Sequence, residues 1–251
     1  MAEQAILIDT SKCIACKGCQ IACKQWNELP AGESQFFPTG TQGYENPTDL
    51  SDHTYNLIKF YETEKPNGDP DWLFRKMQCN HCTVAACLES CPKQTIKRAD
   101  NGFVWIDRTD CIGCGTCVQV CPFDVPRLTE EVAEDGYLKS HKCWGCQDRV
   151  DNDIEPACVK TCPTDAATFG DRDAQVAKAE ARKAELEAAG KTAYLYGIDE
   201  LGGLHYIYVL LRPPSFYGLP SLSSLNSTSR RTYLTHMKEL GKQYLKKVVS
   251  V

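Results

Sequence analysis

The sequence predicts an α+β fold: two small modules of short β-hairpins and cysteine-bearing loops and helices, with long insertions and a C-terminal helical tail. Three observations carry this. Sixteen of the 251 residues are cysteine, and all fall in four groups of four. Short β-type runs broken by Gly, Asn and Asp lie between the groups. A single Ala/Glu/Lys/Arg-rich stretch, residues 171–191, reads as a long helix stopped by Gly190.

Composition bounds the rest. The length suits one or two domains with a real core. A hydrophobic fraction of 42% and a charged fraction of 24% are those of a globular chain. A formal charge of −5 argues against nucleic acid as a partner. No apolar run approaches the roughly 18 residues of a membrane span. The segment Met1–Asp9 lacks a basic region followed by an apolar core, so no signal peptide is expected.

Taken in order, residues 5–9 (Ala-Ile-Leu-Ile-Asp) read as a strand leading into the first cysteine loop. Residues 24–78 are long for a connection; 57–61 are a strand candidate, and the remainder is rich in Pro, Gly, Asn and Thr. Such a segment either covers something or meets a partner, or wraps on its own domain. Residues 95–98 and 103–107 flank a glycine-containing turn and predict a hairpin; 125–128 and 137–139 predict a second. Residues 204–211 are the strongest strand, ended by Pro213-Pro214. Residues 230–251 carry six Lys/Arg against Glu239, a charge of +5 that leaves −10 on residues 1–229. Tyr233, Met237, Leu240, Tyr244 and Val248 form a helical stripe there. It fits docking on a partner subunit, packing on the chain itself, or peripheral contact with an anionic membrane.

The cysteine groups carry the chemistry. Cys13, Cys16, Cys19 and Cys23 are spaced C-x2-C-x2-C-x3-C; Cys79, Cys82, Cys87 and Cys91 are C-x2-C-x4-C-x3-C; Cys111, Cys114, Cys117 and Cys121 repeat the first spacing; Cys143, Cys146, Cys158 and Cys162 are C-x2-C-x11-C-x3-C. Pro92, Pro122 and Pro163 follow the last three groups. Disulfides need separated partners that can face one another, which cysteines three apart do not provide. Zinc asks for C-x2-C pairs, not for a further cysteine before a proline, and it remains the alternative. The C-x2-C-x2-C-x3-C-P run is that of [4Fe–4S] ligation, in which the fourth cysteine serves the other cluster of a pair. Four cysteines per cluster give four [4Fe–4S] clusters with none left over. The chain carries no nucleophile–base constellation, G-x-G-x-x-G, P-loop or C-x-x-C-H. No substrate site is expected on it. His53, His81, His141, His205 and His236 are scattered and read as surface or packed residues. Lys12, Lys17, Lys24, Lys93, Lys142, Arg149 and Lys160 flank the cysteines and either offset cluster charge or keep the loops soluble. Trp26, Trp72, Trp105 and Trp144 are expected to shield clusters from water.

Four groups in this order, with an eleven-residue gap in the last, resemble the iron–sulfur β-subunits of molybdenum or tungsten oxidoreductases of the dimethyl-sulfoxide-reductase family. Among these the chain is most similar to formate dehydrogenase iron–sulfur subunits. Supporting stretches are residues 13–27, 71–74, 147–150, 156–164 and 202–220. The resemblance implies crossed ligation: Cys13, Cys16, Cys19 with Cys162; Cys143, Cys146, Cys158 with Cys23; Cys79, Cys82, Cys87 with Cys121; Cys111, Cys114, Cys117 with Cys91. It implies a first ferredoxin-like module from 1–24 and 140–220, an ordered insertion at 25–78, a second module at 79–139, and a linker and basic helix at 221–251. It implies an electron-transfer role beside a large Mo/W-bis-pterin catalytic subunit that oxidises formate or reduces CO2, with a cytochrome, ferredoxin or other redox subunit downstream. Relatives serving polysulfide, thiosulfate, nitrate or dimethyl-sulfoxide reductases share the pattern, and a free-standing polyferredoxin is the third reading. Membrane-bound formate dehydrogenases end this subunit with a transmembrane helix. The Arg- and Lys-rich tail here departs from that and implies a soluble or peripheral complex. Co-export with a signal-bearing partner would place it in the periplasm; the alternative is the cytoplasm.

Overall fold

The computed structural model describes residues 2–34, 44–65 and 67–221. The expected basic helix at 230–251 lies outside these residues. Mixed helix and strand content is observed, as expected. The strand at the N-terminus, β1 (Gln4–Asp9), is followed by α1 (Gly18–Trp26), β2 (Asn56–Glu64) and β3 (Pro70–Gln78). Next come α2 (Ala86–Glu89), β4 (Ile96–Arg98), β5 (Val104–Ile106), α3 (Thr116–Val120), β6 (Arg127–Leu128) and β7 (Ser140–His141). The chain continues through α4 (Gln147–Val150), α5 (Ala157–Lys160), β8 (Ala167–Asp171), α6 (Arg172–Ala188), β9 (Tyr194–Tyr196) and β10 (Tyr206–Leu210).

A four-stranded sheet in the order β8-β1-β10-β9 joins the two ends of the described chain. β1 runs parallel to β10, with Ile6 opposite Tyr206 and Ile8 opposite Tyr208, and antiparallel to β8. Alternation along the strands gives the sheet two faces. Ala5, Leu7, Ile207 and Val209 pack under Ala179 and Leu186 of α6. Ile6, Ile8, Tyr206, Tyr208 and Leu210 face the other way, into a core that includes Cys158 and is flanked by Cys19, Cys82, Cys87 and Cys162. One face therefore carries a helix and the other carries the cysteine regions. Asp171 caps α6 by accepting from the N–H groups of Asp173 and Ala174.

The long segment before Cys79 is a hairpin: β2 and β3 pair over nine residues each, from Asn56–Gln78 to Glu64–Pro70. Only its first strand was expected. Ile58, Phe60 and Phe74 pack on Cys13, Ala15 and Cys19. Leu57 and Tyr55 share a core with Cys23, Cys79 and Cys143. The hairpin thus covers the first and fourth cysteine groups. β4 and β5 form the hairpin expected at 95–107. Gly102 in its turn has φ +92° and abuts the buried His205, whose Nε2 would lie 2.0 Å from any Cβ there. Only glycine fits. The second expected hairpin is reduced to two residue pairs, β6 with β7, shifted a few residues along the chain. Among the described residues no helix is long and apolar enough to cross a membrane.

Candidate iron–sulfur centres

The four groups share a backbone solution. In each, the residue just before the second cysteine is left-handed: Ala15 (φ 53°), His81 (47°), Gly113 (61°) and Gly145 (82°). A second left-handed residue follows the second cysteine in two groups, Lys17 (60°) and Gly115 (71°), which serve as the N-caps of α1 and α3. These left-handed residues curl the loop back on itself, at a cost of about 1–3 kcal/mol for each non-glycine residue. The third cysteine then opens a short helix: Cys19 in α1, Cys87 in α2, Cys117 in α3, Cys158 in α5. The fourth stands one turn on. In the last three groups proline ends the helix, and the third residue beyond the cysteine is left-handed again: Gln94 (52°), Asp124 (49°) and Asp165 (51°). In the first group Lys24 replaces proline, and α1 runs on to Trp26.

All sixteen cysteines are free thiols, so none is used in a disulfide. One cavity is lined by Cys91, Cys111, Cys114 and Cys117, another by Cys79, Cys82, Cys87 and Cys121. The two are similar in size. Each combines three cysteines of one group with the last of another. Among the described residues no three His, Cys, Asp or Glu side chains gather as ligands of a single metal ion. Thiols ringing a space, not a point, suit a cluster with iron at its corners rather than a zinc ion.

The other eight cysteines sort by mutual influence. Burial, then the neighbouring Cys143, Cys158 and Cys146, push the Cys23 thiol up. Burial also raises Cys13, with Cys162 and Cys16 adding to it. Burial pushes Cys19 up to about 12 against the opposing Lys76, with Cys158, Cys13 and Cys16 contributing. Neighbours across sets give an order. Cys19 meets Cys158, Cys143 meets Cys79, and Cys87 meets Cys117. Cys79 and Cys87, which line one cavity, thus neighbour Cys143 on one side and Cys117, of the other cavity, on the other. Cys16 is exposed, while Cys23, Cys79, Cys111, Cys117, Cys143, Cys146 and Cys158 are buried.

Polar groups address the sulfurs. His81 N–H donates to Cys79 Sγ at 3.4 Å, and Asn27 Nδ2 to Cys23 Sγ at 3.6 Å. Hydroxyls lie beside three sulfurs of one cavity: Thr95 at 3.4 Å from Cys91, Thr116 at 3.4 Å from Cys114, and Ser140 at 3.2 Å from Cys117. Hydrogen bonds to cluster sulfur and burial set potential. Of the lysines flanking the cysteines, Lys142 is buried, whereas Lys12, Lys93 and Lys160 are exposed. Lys76, which spacing alone did not single out, is also buried, at 4% exposure. Had the second strand of the hairpin been recognised, its inward register of Phe74, Lys76 and Gln78 would have found it. His81 and His205 are packed inside: His81 Nδ1 accepts from Val104 N–H, and His205 Nδ1 lies 2.6 Å from His81 O. Trp144 packs with Cys23 and Cys143, whereas Trp26 and Trp72 are 43% and 52% exposed, so full shielding does not extend to them.

The fold and site define a class: a ferredoxin-like electron-transfer protein with two dicluster regions. Two family models described as "4Fe-4S dicluster domain" match residues 12–95 and 70–172. The chain is 43% identical over 224 residues to the nitrate-inducible formate dehydrogenase iron-sulfur subunit of Escherichia coli, covering 87% of this chain and 73% of that one. It is 36% identical to the formate dehydrogenase subunit beta of Megalodesulfovibrio gigas, covering 86% and 97%. To the formate dehydrogenase 2 subunit beta (cytochrome c-553) of Nitratidesulfovibrio vulgaris it is 32% identical, covering 85% and 96%. The chain belongs to the family of formate dehydrogenase iron–sulfur subunits.

Proposed function

We propose that the chain conducts electrons between a formate-oxidising, CO2-reducing Mo/W-pterin subunit and an external acceptor or further redox subunit, through four [4Fe–4S] clusters. The ligand sets are Cys13, Cys16, Cys19 and Cys162; Cys23, Cys143, Cys146 and Cys158; Cys79, Cys82, Cys87 and Cys121; and Cys91, Cys111, Cys114 and Cys117. The observation that carries this reading is that two cavities each gather three cysteines of one sequence group with the last of another; with the other eight assigned in the same crossed way, the four sets would follow one another in series in the order given. When bound, each cluster supplies one reversible electron step. The chain's own residues do the rest. The left-handed loops aim the thiolates, and the β2–β3 hairpin excludes water from the first two sets. Backbone N–H and hydroxyl groups hold negative charge at sulfur. We further propose a periplasmic setting, reached with a signal-bearing partner.

The test is anaerobic purification of the native complex, with metal analysis and formate-dependent viologen reduction on one sample. The expected result is a large co-purifying subunit, Mo or W, and activity with formate. A Mo or W complex inert to formate but active on a sulfur compound or nitrate would contradict the substrate. Iron and sulfide on a solitary chain would contradict the partner.

A further inference from the structure

Two lysines are buried where cysteine sets adjoin, and neither forms an ion pair with Asp or Glu among the described residues. Lys76 Nζ has one hydrogen bond, to Gln78 Oε1 at 3.3 Å, and stands 5.2 Å from the centre of the Tyr206 ring. Lys142 Nζ, 6% exposed as a residue, donates to the carbonyls of Val104 and Cys143. A buried ammonium without a carboxylate is costly unless another negative charge faces it. Here only sulfur supplies it. The charged neighbours of Lys76 are the sulfurs of Cys158, Cys19, Cys143 and Cys23. Lys142 lines the cavity of Cys79, Cys82, Cys87 and Cys121 and immediately precedes Cys143; its charged neighbours are the sulfurs of Cys79, Cys87 and Cys143.

The residues sort by set. Lys76 faces three thiolates of the Cys23/Cys143/Cys146/Cys158 set and one, Cys19, of the set before it. Lys142 faces Cys143 of that same set and two thiolates, Cys79 and Cys87, of the next. The second centre in the series is thus the one that both ammonium groups share.

We propose that Lys76 and Lys142 are positioning residues for electron transfer, fixed cations at the first and second junctions of the series that raise the reduction potential of the second centre above what its thiolates alone would give. A cation beside a centre that gains negative charge favours the reduced form, and low dielectric strengthens the effect. The pair also relieves repulsion between adjacent anionic centres, so an electron arriving at one junction meets a positive charge instead of only negative ones. The inference rests on the assignment of the cysteines as cluster ligands.

The test is an EPR-monitored redox titration of the anaerobically purified complex carrying K76M, K76Q or K76R, with iron and sulfide measured on each sample. Wild-type iron and sulfide content tests the ligand assignment by itself. With clusters retained, K76M and K76Q are expected to lower the reduced-to-oxidised ratio of one centre at fixed potential about tenfold or more, a midpoint shift of ~59 mV. K76R should keep the midpoint near wild type, and K142M should add to the shift of the same centre. Retained clusters with unchanged midpoints in K76M and K76Q would overturn the proposal. If both neutral variants fail to load iron while K76R loads it, charge is required and the proposal stands. If all three fail, shape and not charge is what matters at this site, and it falls.

Discussion

Anaerobic removal of iron is expected to unfold the cysteine regions while leaving the sheet under α6 partly intact. The physical reason is the distribution of cores. The cores around Ile6 and Tyr206, around Leu57, around Ile96 and Val104, and around Ile58 all include or contact cysteines. The core of Ala5, Leu7, Ala179, Leu186, Ile207 and Val209 does not. Without a cluster the first four lose their centres and leave buried thiols facing one another. Burial pushes Cys87 up to about 11 and Cys117 and Cys121 up to about 12, so these remain neutral and cannot be hydrated as anions inside the fold. The helices α2, α3, α4 and α5 have four or five residues each. Isolated helices below about 12–15 residues are marginal in water, so they depend on metal to exist. Metal–thiolate binding in small structural sites is worth on the order of 10–16 kcal/mol, comparable with the whole net stability of a domain. Hydrogen exchange on the chelated chain should show protection retained in α6, β1 and β10 and lost in α2, α3 and β4–β5. Uniform protection after complete iron loss would contradict this.

Replacing Cys87 with alanine is expected to cut the series in its middle. Cys87 lines one cavity and is the neighbour of Cys117 in the next. Lys142 also faces it. The variant loses one corner ligand of the third set, and the electron path between the two ends is broken there. Changes in groups that merely support a metal ligand cost roughly 10–100-fold, so loss of a ligand itself should exceed that in transfer to the physiological acceptor. Formate oxidation with a dye that accepts directly from the catalytic partner should persist. Equal loss of both activities would mean that the variant disrupts assembly; retention of both would show that the third set lies off the path.

Much of this was legible from spacing alone. The cysteine groups, the strands at 5–9 and 204–211, the hairpin at 95–107 and the helix at 171–191 were all visible, because period and punctuation are local signals. What escaped was set by long-range packing. β3 begins at a proline and carries Arg75, Lys76 and Gln78, an unpromising strand until β2 is paired beside it. β8 and β9 are short edges whose pairing depends on β1 and β10, far away in sequence. Lys76 was invisible for the same reason, since a lysine in an unrecognised strand reads as solvated. The tryptophans were over-read: Trp72 shares the face of Phe74, Lys76 and Gln78 on β3 and stacks beside Tyr44, Phe60 and Phe74, but it lies near the start of the strand, where the cover ends and it is left exposed. Ala15, Lys17 and His81 take left-handed positions where glycine would be the ordinary choice, and spacing gave no sign of that.

Binding of four clusters by sixteen cysteines on this one chain is the step on which the proposed function depends. Its most direct measurement is iron and acid-labile sulfide per chain on the anaerobically purified protein, quantified beside the spin integral of the fully reduced EPR spectrum. About sixteen iron and sixteen sulfide are expected, with a spectrum broadened by interaction between neighbouring reduced centres. About eight iron, or stoichiometric zinc without sulfide, would contradict it.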